Sequence, residues 1–195
     1  LSFTAGDGTA DSVMTFRGTL AAINAALDGL SFAPQANFAG SAQLQVTVDD
    51  EEQMTVIEVF ADVGCPFTHV GLRRFVDRRT AAGRHDLVLR VRSWPLELIN
   101  GEPLDAHFIA EEVDDIRRHV APTLFAHFSE SAFPSTFLPA LTLAAAAYDQ
   151  DLQSGEDVSL ELRDLLFEQG VDVGSPDVLR RVAEDHHVEV DLDDT

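Results

Sequence analysis

Between Thr55 and Trp94 the chain reads strand, helix, strand, and that run constrains the fold more than any other feature. The segment "TVIEVFA" (55–61) is almost unbroken in β-branched and aromatic residues, which predicts a strand buried on both faces. Leu72, Phe75 and Val76 then recur at helical spacing, with Arg73, Arg74, Arg78 and Arg79 around the outside, and "AAGRHD" closes that element. A second strand follows in "LVLRVRSW" (87–94). Two strands joined by a helix pair in parallel through a right-handed crossover, so the fold class is α/β.

A parallel pair needs helices to cover it, and the sequence after Pro95 supplies them. Apolar spacing in "AHFIAEEVDDIRRHV", the alanine-rich stretch 137–148, "SLELRDLLFEQG" with its Gly170 stop, and "SPDVLRRVAED" with Ser175 as N-cap and Pro176 in the first turn predict four helices. The longest apolar run, "LPALTLAAAAY" (138–148), is too short to span a bilayer and reads as a buried helix, so no membrane partner is expected.

The first fifty residues differ in texture. They are rich in Gly, Ala, Thr and Ser, and short alternating stretches ("SVMTFRG", "AQLQVTV") sit between turn signals, which predicts a small β-rich segment. "LAAINAALDGL" reads as a short helix or a connector, with Gly29 as a stop. The acidic run "DDEEQ" (49–53) separates the two textures, giving domains 1–50 and 54–195. The formal net charge is −21, and every basic residue is arginine, so nucleic acid is repelled and excluded as a partner.

The chain holds one cysteine, Cys65, and therefore no intrachain disulfide. It stands where the first strand delivers the chain to the helix, directly before Pro66. Sulfur at that point is expected beside unpaired backbone N–H groups and the positive end of the helix dipole, which favour thiolate over thiol. Pro66 at the first helical position loses no needed donor. His69, in the same helix mouth, is a candidate to tune or deprotonate the sulfur. His107 and Glu111 share a helix face, but two groups fall short of a metal site, and no metal is expected.

The stretch "VFADVGCPFTHVGLRRF" resembles the active-site segment of the DsbA-like thioredoxin-fold proteins, in particular the FrnE-type and 2-hydroxychromene-2-carboxylate isomerase-like branch. "RVRSWPLELINGEPL" and "SAFPSTFLPALTLAAAAYDQ" resemble the segments that follow there, the second being a helical insertion. The resemblance covers about residues 54–190 and implies a thiol-disulfide oxidoreductase. In it Cys65 matches the nucleophile, Pro66 and Phe67 the intervening pair, and Thr68 stands where a resolving cysteine belongs. The resemblance thus implies a site of Cys65, Pro66, Phe67 and Thr68, to which His69 is added from its place in the helix mouth, needing no bound cofactor, with protein or small-molecule thiols and disulfides as partners. Kappa-class glutathione transferases and the isomerases use a serine at the position of Cys65, which keeps a glutathione-dependent isomerase or transferase open as an alternative, with Thr68 donating a hydrogen bond to sulfur; the missing second cysteine leaves a non-catalytic binding domain as another.

The resemblance also implies a closing β-hairpin bearing a cis-proline, for which the residues up to Thr195 leave no room; the parallel pair is then expected to have open edges, with strands from residues 1–50 as a cover. The region 54–195 is cytoplasmic in kind. "LSFAPQANFAGSAQLQVTVDD" (30–50) resembles part of a bacterial cadherin-like or immunoglobulin-like surface repeat, which implies export and would nominate Asp7, Asp49 and Asp50 as calcium ligands, although three loop-end carboxylates fall short of the six or more oxygens calcium takes and read first as turn formers.

Overall fold

The computed structural model describes residues 1–31, 33, 45–47 and 54–191. The chain divides into two compact units, Leu1–Asp49 and Asp50–Thr195.

In the first unit, β1 (Ser2–Ala5) and β2 (Thr15–Arg17) pair antiparallel, with the Phe3 and Phe16 rings 5.5 Å apart. The expected strand in "SVMTFRG" contracts to those three residues. The "GDG" turn is held by Asp11, whose Oδ2 accepts from the amides of Asp7 (2.9 Å) and Gly8 (2.8 Å). Asp7 Oδ1 in turn accepts from Thr9 N at 2.9 Å. Asp49 and Asp50, nominated with Asp7 for calcium, lie outside the described residues, as do most of "AQLQVTV"; Gln45–Thr47 have no regular structure. The ambiguous segment is a helix, α1 (Leu20–Asp28), because Thr19 caps it by accepting from Ala22 N.

In the second unit, β3 (Thr55–Ala61) and β4 (Leu87–Ser93) pair in parallel, Thr55 beside Leu87 through Ala61 beside Ser93, with α2 (Pro66–Ala81) as the crossover. Ile57, Val59 and Ala61 pack with Leu72, Leu89 and Val91. The other face of β3 is not buried as expected: Val56 is 40% and Phe60 62% exposed. Among the described residues β3 has a strand on one side only, so its continuous apolar run reflects strand propensity more than burial on both faces.

The expectation of open edges fails at β4. Register turns the odd-numbered backbone groups of β4 outward, and side chains take them up. Glu156 Oε2 accepts from Leu89 N at 2.6 Å, Tyr148 Oη accepts from Val91 N at 2.9 Å and donates to Leu89 O at 3.1 Å, and Arg79 Nη1 donates to Leu87 O at 2.9 Å.

After β4 come α3 (Leu96–Asn100), α4 (Ala106–His119), α5 (Leu138–Gln150), α6 (Leu152–Phe167) and α7 (Pro176–Asp185). Helix α3 is additional to the four expected. Helix α6 begins at Leu152, well before the expected Ser159, because Asp151 caps the amides of Gln153 and Ser154. Gly155 is required inside it: a Cβ there would lie 2.0 Å from Tyr148 Cδ1. Apolar stripes of α4 to α7 meet in one core around Val113, Leu143, Leu162 and Leu179, which Val63 and Val70 join from the β3–α2 junction.

Candidate functional site

The junction from β3 to α2 is a turn built on Asp62, which is 2% exposed. Its carboxylate accepts from Gly64 N (Oδ1, 2.8 Å) and from Leu96 N (Oδ2, 2.7 Å), tying the turn to the start of α3. Burial raises its pKa above the ordinary carboxylate value, while those two amides and the charge of Arg163 pull the other way. Gly64 is needed where it stands, since a Cβ would meet Phe137 Cε2 at 2.6 Å. The backbone carbonyl of Asp62 is a hub: it accepts from Cys65 N (3.5 Å), Thr68 Oγ1 (3.4 Å) and Arg163 Nη2 (3.2 Å).

Cys65 is the N-cap of α2 in extended conformation, and Pro66 occupies the first helical position. The sequence places the thiol at the right point of the chain, with one correction: the side chain of Cys65 makes no capping hydrogen bond to the first-turn amides. The expected role of Thr68 also changes. Its hydroxyl donates to the carbonyl oxygens of Cys65 (2.9 Å) and Asp62 (3.4 Å), so it braces the turn rather than the sulfur. His69 is 1% exposed and packs against the rings of Phe125 (5.3 Å) and Phe167 (5.0 Å), with Nε2 2.7 Å from Glu168 Oε1. Burial holds its pKa below the ordinary histidine value against the pull of Glu168, so the neutral ring donates to the carboxylate. Its described polar contact is therefore with Glu168 and not with Cys65.

Cys65 is partly exposed and opens onto a cleft of about 830 Å3. Pro66, Phe67, Leu96, Leu104, Phe108 and Ile109 give the cleft its apolar wall; Phe67 is 58% and Phe108 56% exposed. Glu102, Asp105 and Glu112 supply its charge, and among the described residues no basic side chain lines it. Burial raises the pKa of the Glu112 carboxyl. Among the described residues no cluster of three or more His, Cys, Asp or Glu side chains is placed to hold a metal ion, and His107 and Glu111 stand 3.9 Å apart in solvent.

A strand followed by a buried aspartate, a Cys-Pro helix start and a helical layer beyond the second strand now stand together. The family described as DSBA-like thioredoxin domain matches residues 56–194. The chain belongs to that family. No curated protein matches the chain. Membership in the DSBA-like family gives the second unit its fold class, thioredoxin-like α/β with a helical insertion.

Reading the residues one by one missed four side chains around the turn of this DSBA-like domain. Asp62 lies in the quoted motif, but its two-amide role depends on α3. Glu97 is 8% exposed and accepts from Thr136 Oγ1 (2.6 Å) and Phe137 N (3.2 Å), holding the start of α5 beside the turn. Glu168 takes His69 and the amides of Phe125 (2.8 Å) and Ala126 (3.2 Å). Arg163, 1% exposed, reaches Asp62 O from α6. A signal for Arg163 was present: it shares one stripe with Ser159, Leu162 and Leu166.

Proposed function

We propose that the chain catalyses thiol-disulfide exchange through Cys65 alone. One observation carries this reading: the single thiol of a DSBA-like domain is the N-cap of its first crossover helix and faces a cleft with an apolar wall. The Cys65 thiolate attacks one sulfur of a disulfide, forming a mixed disulfide and releasing the other sulfur as thiolate. Thr68 stands where a second thiol would resolve that adduct, so an external thiol attacks the substrate sulfur, regenerates the Cys65 thiolate and leaves with a new disulfide. Electrons balance within each exchange, and no bound cofactor is needed. Protein or small-molecule disulfides are the partners, and glutathione is one such external thiol. The Asp62, Cys65 and Pro66 pattern supports placement in the FrnE-type and 2-hydroxychromene-2-carboxylate isomerase-like branch of the family.

The test is intact-mass analysis of the folded protein incubated with hydroxyethyl disulfide. The expected product is a single adduct at Cys65, reversed by added thiol and absent in Cys65→Ser, whose melting temperature stays at that of the parent. A folded protein that forms no adduct while the unfolded chain does would refute the proposal.

A further inference from the structure

The two edges of the parallel pair in the second unit are finished differently. At β4 the outward backbone groups are taken up by Glu156, Tyr148 and Arg79. At β3, Thr55 N donates to Asp86 O and Ala61 O accepts from Trp94 N, so the odd-numbered groups face β4 and those of Val56, Glu58 and Phe60 face away from it. Among the described residues neither a strand nor a side chain takes those groups up. Proteins blunt such an edge with proline, a bulge or unpaired charge, because bare N–H and C=O groups in extended backbone invite another strand. β3 runs seven residues in unbroken register with none of these, since its one charged residue, Glu58, is paired with Arg92 at 2.7 Å.

The side chains of the same residues form the open face: Val56 is 40% and Phe60 62% exposed, and Phe60 stands edge-on to Trp94 at 6.0 Å. The strand that this edge fits is a second β3. In an antiparallel pair centred on Glu58, Val56 of each copy stands opposite Phe60 of the other, and each facing pair exchanges both of its N–H···O bonds. Centring on Ile57 or Val59 would instead set Glu58 against an apolar side chain, Val56 or Phe60. With the axis at Glu58 the two carboxylates meet, which is unfavourable unless cations surround them. Arg92 holds Glu58 Oε1 in each copy, and Arg90, in register with Glu58 on β4, has a buried Nε without a partner and no ion pair among the described residues. Two carboxylates thus lie among four guanidiniums. The face is locally positive on a chain of formal charge −21, so the arginines of each copy meet the negative field of the other.

We infer that the second unit associates with a second copy of this chain through β3, antiparallel about a two-fold axis at Glu58, giving one four-stranded sheet in the order β4-β3-β3-β4. This assembly is independent of the chemistry at Cys65. The contact is one strand wide, which places it among the weak interfaces.

The experiment is sedimentation velocity over a concentration series reaching about 1 mM, with salt added to screen the net charge, and hydrogen exchange on the same samples. The expected result is a concentration-dependent dimer in which the amides of Val56, Glu58 and Phe60 slow together as it forms. Val56→Lys and Phe60→Lys act twice across the axis and weaken association about tenfold or more. Val120→Lys, at a 46% exposed residue ending α4, leaves association unchanged. A Cys65→Ser background tests the register. There Glu58→Cys brings two thiols to the axis, with Cα atoms about 5.5 Å apart, and oxidation yields a disulfide-linked dimer, whereas Val56→Cys links only to Phe60→Cys protein. A monomer at the highest concentration overturns the inference, and if its three amides are already slow another part of the chain covers the edge. A dimer that survives both lysine substitutions overturns it too, as does one in which Val56→Cys links to itself as readily as Glu58→Cys. Circular dichroism verifies the fold of each variant, and the exchange series on the parent decides the question where a variant does not fold.

Discussion

Tyr148→Phe removes a single oxygen and tests whether α5 seals the edge of β4. The ring stays, so its contact with Gly155 is unchanged. The loss is the acceptor for Val91 N–H (2.9 Å) and the donor to Leu89 O (3.1 Å), both on residues no more than 5% exposed. A buried N–H left without a partner costs about 1–3 kcal/mol, and the lost O–H···O bond about 1 kcal/mol more, so the variant is expected to lose roughly 2–4 kcal/mol. For a unit of this size that lowers the melting temperature by about 6–12 °C. Trp94, the only tryptophan, sits just past β4 and reports the transition by fluorescence. Hydrogen exchange adds a local readout: the amide of Val91 exchanges faster in the variant by more than global destabilisation explains. A shift below about 2 °C with unchanged exchange at Val91 would refute the edge-sealing argument.

Two further outcomes are expected. The cleft carries Glu102, Asp105 and Glu112 and, among the described residues, no basic one, so Cys65 is expected to react with small disulfides in the order cystamine, hydroxyethyl disulfide, oxidised glutathione. The cation should exceed the anion by roughly tenfold at low salt, with convergence as salt is added; a flat or reversed order in stopped-flow rates would show that the acids do not act on the substrate. Acid stability tests the His69–Glu168 pair. His69 has a lowered pKa in the fold, so stability falls as pH drops below 6.5, where the unfolded chain takes up a proton the native ring resists. Glu168 is pushed up by burial but held lower on balance by the amides of Phe125 and Ala126 and by His69; its contribution is present above 4.5 and is lost as pH falls through its folded value. Urea melts of Glu168→Gln should therefore show a shallower loss of stability below pH 4.5 than the parent, and identical slopes would remove the carboxylate from the account.

Local chemistry alone determined the β3–α2–β4 order, the start of α2 at a Cys-Pro step, and the start of α7, while it left the segment of α1 open between helix and connector. Apolar period, an N-terminal proline and a stop glycine act within a few residues of where they stand, and a sequence shows them directly. It also placed the thiol at the mouth of a crossover helix. Only the tertiary structure decided what surrounds that thiol. Thr68 turned to the backbone and His69 to Glu168, while Arg163 reached the turn from 101 residues away. Glu156 and Tyr148 closed an edge lying 67 and 57 residues earlier. The physical reason is the same in each case. A polar side chain taken out of water binds whichever partner packing brings within reach, and that partner is set by how the layers stack rather than by its neighbours in sequence.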